Sequence, residues 1–188
     1  VGLPEAEHEK DDILKMNRDT AVEVLMNEYG EAIKRLVFTY IKDYSLTEDL
    51  TQDIFLTVYL KFDTFAGRSS IKTWIYAIAI NKCKDYLRSW HFRKISYTNS
   101  FLDLVGNSKD PENNLLDQTN RAELVKEILK LPVKYREVVI LFYYKDFSID
   151  DISVLLSISE STVKVRLHRG REKLKKGLDI LERGELNG

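Results

Sequence analysis

One cysteine, Cys83, stands in a chain of 188 residues, so an internal disulfide is excluded and a reducing compartment is expected. Three prolines and eight glycines leave long stretches without a helix breaker. No apolar run is long enough to cross a bilayer. The N-terminal stretch carries Glu5, Glu7, Glu9, Asp11 and Asp12 rather than a basic, apolar leader. A cytoplasmic setting and a frayed acidic tail over residues 1–18 follow as expectations. His8, His91 and His168 show no metal-ligand spacing with each other or with Cys83, and no nucleophile motif or phosphate loop appears. We therefore expect no metal, no cofactor and no enzymatic activity. The net charge of −1 excludes a chain that grips polyanions over its whole surface; any such contact must come from local patches.

What is present is helical periodicity. With 44% hydrophobic residues a packed core is expected, and the few breakers point to an all-α fold. The clearest pattern runs from Ser148 to Lys176. Ser148 and Asp151 form a capping box, followed by the apolar stripe Ile149, Ile152, Leu155 and Leu156. Ser157-Ile158-Ser159 breaks it, and Ser159 caps a second helix from Glu160 to about Lys176. On that helix Val163, Leu167, Gly170 and Leu174 share a face. Ser161, Thr162, Val165, His168 and Arg169 project from the other side, flanked by Lys164 and Arg171. With Arg166, Lys173, Lys175 and Lys176 against Glu160 and Glu172, the local charge is about +5. This is the layout of a helix-turn-helix whose basic face suits the major groove.

Upstream, Asp19 is expected to cap a helix to about Glu28, and a second helix runs from Gly30 to Lys42. Ser45 and Glu48 suggest a capping box for a third, Leu46 to Asp63, with Leu50, Ile54, Val58 and Phe62 inward. A loop of small and hydroxyl residues, Thr64 to Ser70, precedes a fourth helix from Ile71 to Arg88 or beyond. Its apolar side holds Trp74, Ile75, Ile78, Ala79, Cys83 and Leu87; its other side holds Lys72, Tyr76, Asn81, Lys84 and Arg88. Periodicity vanishes over 95–116, which reads as a linker. A second domain spans 117–188: a helix from Asp117 to Leu131, another from Val133 to Lys145 opened by Pro132, then the helix-turn-helix. The expectation is two helical domains, 19–94 and 117–188, joined by an irregular linker.

Four segments in order resemble the extracytoplasmic-function (ECF) sigma factors, sigma-70 family group 4, the promoter-recognition subunits of bacterial RNA polymerase. TEDLTQDIFLTVY (Thr47 to Tyr59) resembles region 2.2, and FAGRSSIKTWIYAIAINKCKDYLR (Phe65 to Arg88) resembles regions 2.3 and 2.4. LPVKYREVVILFYYKDFSIDDIS (Leu131 to Ser153) is similar to region 4.1 running into 4.2, which ISESTVKVRLHRGREKLKK completes.

The resemblance implies roles. Region 2.2 binds the β′ clamp helices of core polymerase, here through Asp49, Gln52, Asp53, Phe55, Leu56 and Tyr59. Region 2.3/2.4 opens the −10 element and holds it as a single strand, here through the loop Phe65, Gly67, Arg68, Ser69 and Ser70 with Lys72, Thr73, Trp74, Tyr76, Asn81, Lys84 and Arg88. Trp74 fits the core or the strand-facing side equally well. Region 4.2 reads the −35 duplex, here through Ser161, Thr162, Lys164, Val165, His168 and Arg169, with Arg166 and Arg171 as phosphate contacts or flank packing. The resemblance also implies contact with the β subunit, promoter DNA, and an anti-sigma factor that in this family is often membrane-bound. The linker carboxylates Asp103, Asp110, Glu112 and Asp117 would suit a basic channel. The competing reading is a helix-turn-helix regulator that binds an operator as a dimer.

Overall fold

The computed structural model describes Ile13, residues 15–89 and residues 115–185, with side chains placed for 122–179 in the latter stretch. The chain divides into two compact units, 1–100 and 101–188. Among the described residues every regular element is helical. The expected linker lies outside the described residues except for Leu115 and Leu116, which open a helix.

In the first unit, α1 (Arg18–Ile41), α2 (Tyr44–Lys61) and α3 (Ile71–Arg88) pack on one another, with a 3-10 turn at Phe62–Thr64. Asn17, not Asp19, caps α1: its side chain accepts from the Thr20 amide at 2.9 Å. The expected break at Gly30 is absent. A glycine inside a helix costs about 1 kcal/mol. Burial of Leu25, Ile33, Leu36 and Val37 on both sides of it outweighs that cost. Lys42, in the left-handed region at φ 58°, ends α1. Asp43 caps α2 by accepting from the Leu46 amide at 2.9 Å. The expected Ser45–Glu48 capping box is therefore not formed. Glu48 instead accepts from Lys34 Nζ at 2.7 Å, a bond that holds its carboxyl below the usual range. Ile75, Tyr76 and Ile80 of α3 and Ile54 and Val58 of α2 are buried where the two helices pack.

In the second unit, α7 (Glu160–Glu185) packs against α4 (Leu115–Lys130), α5 (Val133–Tyr144) and α6 (Ile149–Leu156). The Ser148–Asp151 capping box forms as expected. Ser157 turns the chain through φ 54°, and Ser159 Oγ accepts from the Thr162 amide at 3.2 Å to start α7. α5 begins at Val133 as expected, with Pro132 as its N-cap, where the missing N–H costs nothing. The last helix outruns the expected end at Lys176, because its far half still has α4 to lie against. Val138, Leu141, Ile152 and Val163 are fully buried. Gly170 marks a close approach of α7 to α5: a methyl there would come within 2.9 Å of Val139 Cγ2.

Candidate functional site

Three surfaces carry the residues expected to act. The first is the outer stripe of α2. Asp49, Gln52, Asp53, Leu56 and Leu60 are exposed at spacings of three and four, so they line one face. Its first half is acidic and its second half apolar, with Leu56 at 56% and Leu60 at 66% exposure. Leu60 was missed in the sequence; it stands four residues after Leu56, which was the available signal. Phe55 is corrected: it is buried, and its ring serves the core. Tyr59 is half-buried beneath Arg18, whose guanidinium lies 5.3 Å from the ring centroid. Asp19 accepts the Tyr59 hydroxyl and raises its pKa, while Arg18 also pairs with Asp63.

The second surface is the loop before α3. Gly67 adopts φ 63°, a conformation glycine reaches without strain. The turn folds Phe65 onto Trp74, with ring centroids 5.1 Å apart and planes tilted by 41°. Thr64, Phe65, Ala66, Arg68, Ser69 and Trp74 line an open recess of about 280 Å³. That is below the roughly 300–1,000 Å³ of pockets that enclose drug-sized ligands, so it suits one planar group. Thr64 and Ala66 were not singled out in the sequence, since small loop residues carry no chemical signature. Ser70 Oγ is occupied as the α3 cap, accepting from the Thr73 amide at 3.0 Å and meeting Thr73 Oγ1 at 2.8 Å.

From the recess, Trp74, Asn81 and Arg88 follow at seven-residue spacing down one side of α3, with half-buried Lys84 beside them. Thr73 and Tyr76 do not join them. Both are buried, and burial pushes the Tyr76 phenol up to about 12. Lys72 does not either, because two residues from Trp74 on a helix is nearly the opposite side. Trp74 itself is half-buried, one side against Phe65 and the other facing the recess.

The third surface is the start of α7. Ser161, Lys164, Val165, His168 and Arg169 are exposed. Val163, Leu167 and Gly170 are buried on the opposite seam, so the helix cannot rotate to exchange the faces. Thr162 is half-buried, its hydroxyl 2.8 Å from Ser159 Oγ. Arg169 lies beside Tyr135, and its guanidinium holds that phenol below its usual range. Arg171 Nη1 donates to Tyr143 Oη at 3.5 Å. Arg166 differs from the rest: it turns inward and donates to the buried Glu137 Oε1 at 3.1 Å. It braces α7 on α5.

The sequence patterns of sigma-70 region 2 and sigma-70 region 4 match residues 25–91 and 121–174. The ECF RNA polymerase sigma factor SigW of Bacillus subtilis is 30% identical over 162 residues, covering 82% of this chain and 87% of that protein. The chain belongs to the ECF sigma factors. In fold it resembles two solved structures at lower identity. RpoE of Bartonella quintana, solved with the anti-sigma factor NepR, superposes with a TM-score of 0.68 at 21% identity, over 84% of this chain and 96% of that one. CnrH, solved with the cytosolic domain of CnrY, gives 0.63 at 22%, over 91% and 95%. Family membership does not favour the dimeric operator-binding alternative. Within this ECF sigma factor, α2 and α3 fall in the region 2 match, and most of the described second unit falls in the region 4 match. No described helix is long and apolar enough to cross a membrane.

Proposed function

We propose that this sigma factor directs core RNA polymerase to promoters through the three surfaces just described. The α2 stripe docks on core polymerase: carboxylates steer it to a basic partner, and Leu56 and Leu60 bury apolar area once there. The recess lined by Phe65 and Trp74 takes one base extruded from the −10 strand, with Arg68 at its rim and Asn81, Lys84 and Arg88 along the strand's path. The exposed start of α7 enters the major groove of the −35 duplex, with Arg171, Lys173 and Lys175 as phosphate contacts. Residues 95–116 thread the polymerase between the two readers, which then bind with the avidity of a linked pair.

The observation that carries this reading is the α7 face: a hydroxyl, a valine and three basic side chains exposed together, opposite a fully buried seam. An anti-sigma factor is proposed to cover these surfaces when the protein is idle, and any membrane association comes through that partner. The protein works in the cytoplasm, where polymerase and DNA are.

Reconstituted transcription from a promoter library tests it. Core polymerase plus this chain should select promoters with defined −10 and −35 elements. Leu56→Asp with Leu60→Asp should weaken core binding at least tenfold, about 1.4 kcal/mol, without unfolding either unit. A chain that binds no core polymerase, yet holds a symmetric operator as a dimer, would overturn the reading.

A further inference from the structure

We propose that Val165 reads a thymine methyl group in the −35 element and imposes a thymine at one position there; this rests on α7 being the −35 helix. Among the side chains placed on α7, residues 160–179, Val165 is the one large apolar side chain left exposed, at 48%. Its exposure is fixed by the fold, because Val163 and Leu167, two residues to either side, are both buried. Single exposed apolar residues are ordinary on protein surfaces. This one has particular neighbours. Ser161, Lys164, His168 and Arg169 surround it, and all four are exposed.

Two of those neighbours are drawn away from it. Lys164 Nζ lies 3.4 Å from Glu160, one turn earlier, and His168 Nε2 lies 3.6 Å from Glu172, one turn later. Arg169 lies toward Tyr135. Val165 is thereby left as a bare apolar point in the middle of a polar face. It sits roughly 8 Å along the axis from the first residue of α7, at about 1.5 Å per residue, within the part of a recognition helix that meets base edges.

A valine can neither donate nor accept a hydrogen bond. Opposite a guanine, adenine or cytosine edge it would strip water from polar atoms and return nothing. The thymine C5-methyl is the one apolar group that the four bases present in the major groove. A β-branched side chain in a helix also holds essentially one rotamer, so the two methyls are already in place before DNA arrives.

The test uses the full chain with core polymerase. A random −35 library is selected with this holoenzyme. Each thymine of the selected element, on either strand, is then replaced by deoxyuridine, which removes only the methyl. At one position the substitution should lower open-complex formation about fourfold, the equivalent of one methyl group left unburied. With Val165→Ala, thymine and deoxyuridine should perform alike at that position and nowhere else. The variant is safe for folding, since the site is exposed and alanine favours helix. A selected element without thymine would overturn the proposal. So would a methyl effect at no position, or one that persists in Val165→Ala. If the holoenzyme shows no −35 preference at all, the assignment of α7 fails, and the proposal with it.

Discussion

Arg166 Nη1 donates to Glu137 Oε1 at 3.1 Å, joining α7 to α5 on the side away from solvent. Glu137 is 5% exposed and Arg166 24%. Glu137→Ala should therefore destabilise the second unit by about 1–3 kcal/mol, since the guanidinium is left half-solvated and unpaired. Arg166→Ala should cost a comparable amount. The double variant should cost less than the sum, with a coupling of about 0.5–3 kcal/mol in thermal unfolding. Additive losses would mean the bond contributes nothing.

Gly170→Ala should destabilise the same unit, despite alanine being the better helix former by about 1 kcal/mol. The added methyl meets Val139 Cγ2 at 2.9 Å and the Tyr135 carbonyl at 3.7 Å. Valine is stiff at χ1 and cannot swing aside. Overpacking of this kind costs about 1–3 kcal/mol, so a net loss near 1 kcal/mol is expected in urea unfolding. Recovery in Gly170→Ala/Val139→Ala would identify the clash as the cause.

Thr47 Oγ1 is fully buried without a hydrogen-bond partner, in the first turn of α2. A buried hydroxyl with no partner costs about 1–3 kcal/mol. Thr47→Val, which keeps the shape and removes the polar atom, should raise the stability of the first unit by about 1 kcal/mol. A calorimetric scan reads this directly, and a lower melting temperature would contradict it.

Alkaline pH should unfold the first unit selectively. Burial pushes Cys83 from 9.0 to about 12 and Tyr76 from 10.0 to about 12. Both groups hold their protons more tightly folded than unfolded. Their contribution is complete below the unfolded values, declines as pH rises past 9.0 and 10.0, and is lost beyond about 12. Urea midpoints measured from neutral pH to about pH 11 should fall, and Tyr76→Phe should flatten the fall.

Trp74→Ala should separate chemistry from folding. A core tryptophan costs about 3–5 kcal/mol on truncation; half-buried and held chiefly by Phe65, this one should cost about 1–2 kcal/mol. Promoter melting, followed by permanganate reactivity of −10 thymines, should fall much further than circular dichroism or core binding does. Equal loss of all three would make Trp74 a core residue only.

Periodicity and caps make most helices legible in the amino-acid order. The Ser148–Asp151 box, the Ser70 and Ser159 caps, and the seam Val163, Leu167 and Gly170 are local patterns within a few turns. They need no distant partner to be recognised. The continuous α1 is not legible in this way, because the choice at Gly30 depends on what its flanks bury against other helices.

The chain by itself determined two helical units, the capped starts at Ser70, Ser148 and Ser159, and which stretches are basic or acidic, because those follow from spacing and composition. Only tertiary packing decided which side chains remain available. Phe55, Thr73 and Tyr76 went to the core, and Arg166 went to Glu137. Phe65 and Trp74, nine positions apart, became the walls of one recess. Along a helix the polar face is wider than any one contact surface. Which part of it meets solvent is fixed by the neighbouring helices, and no periodicity encodes them.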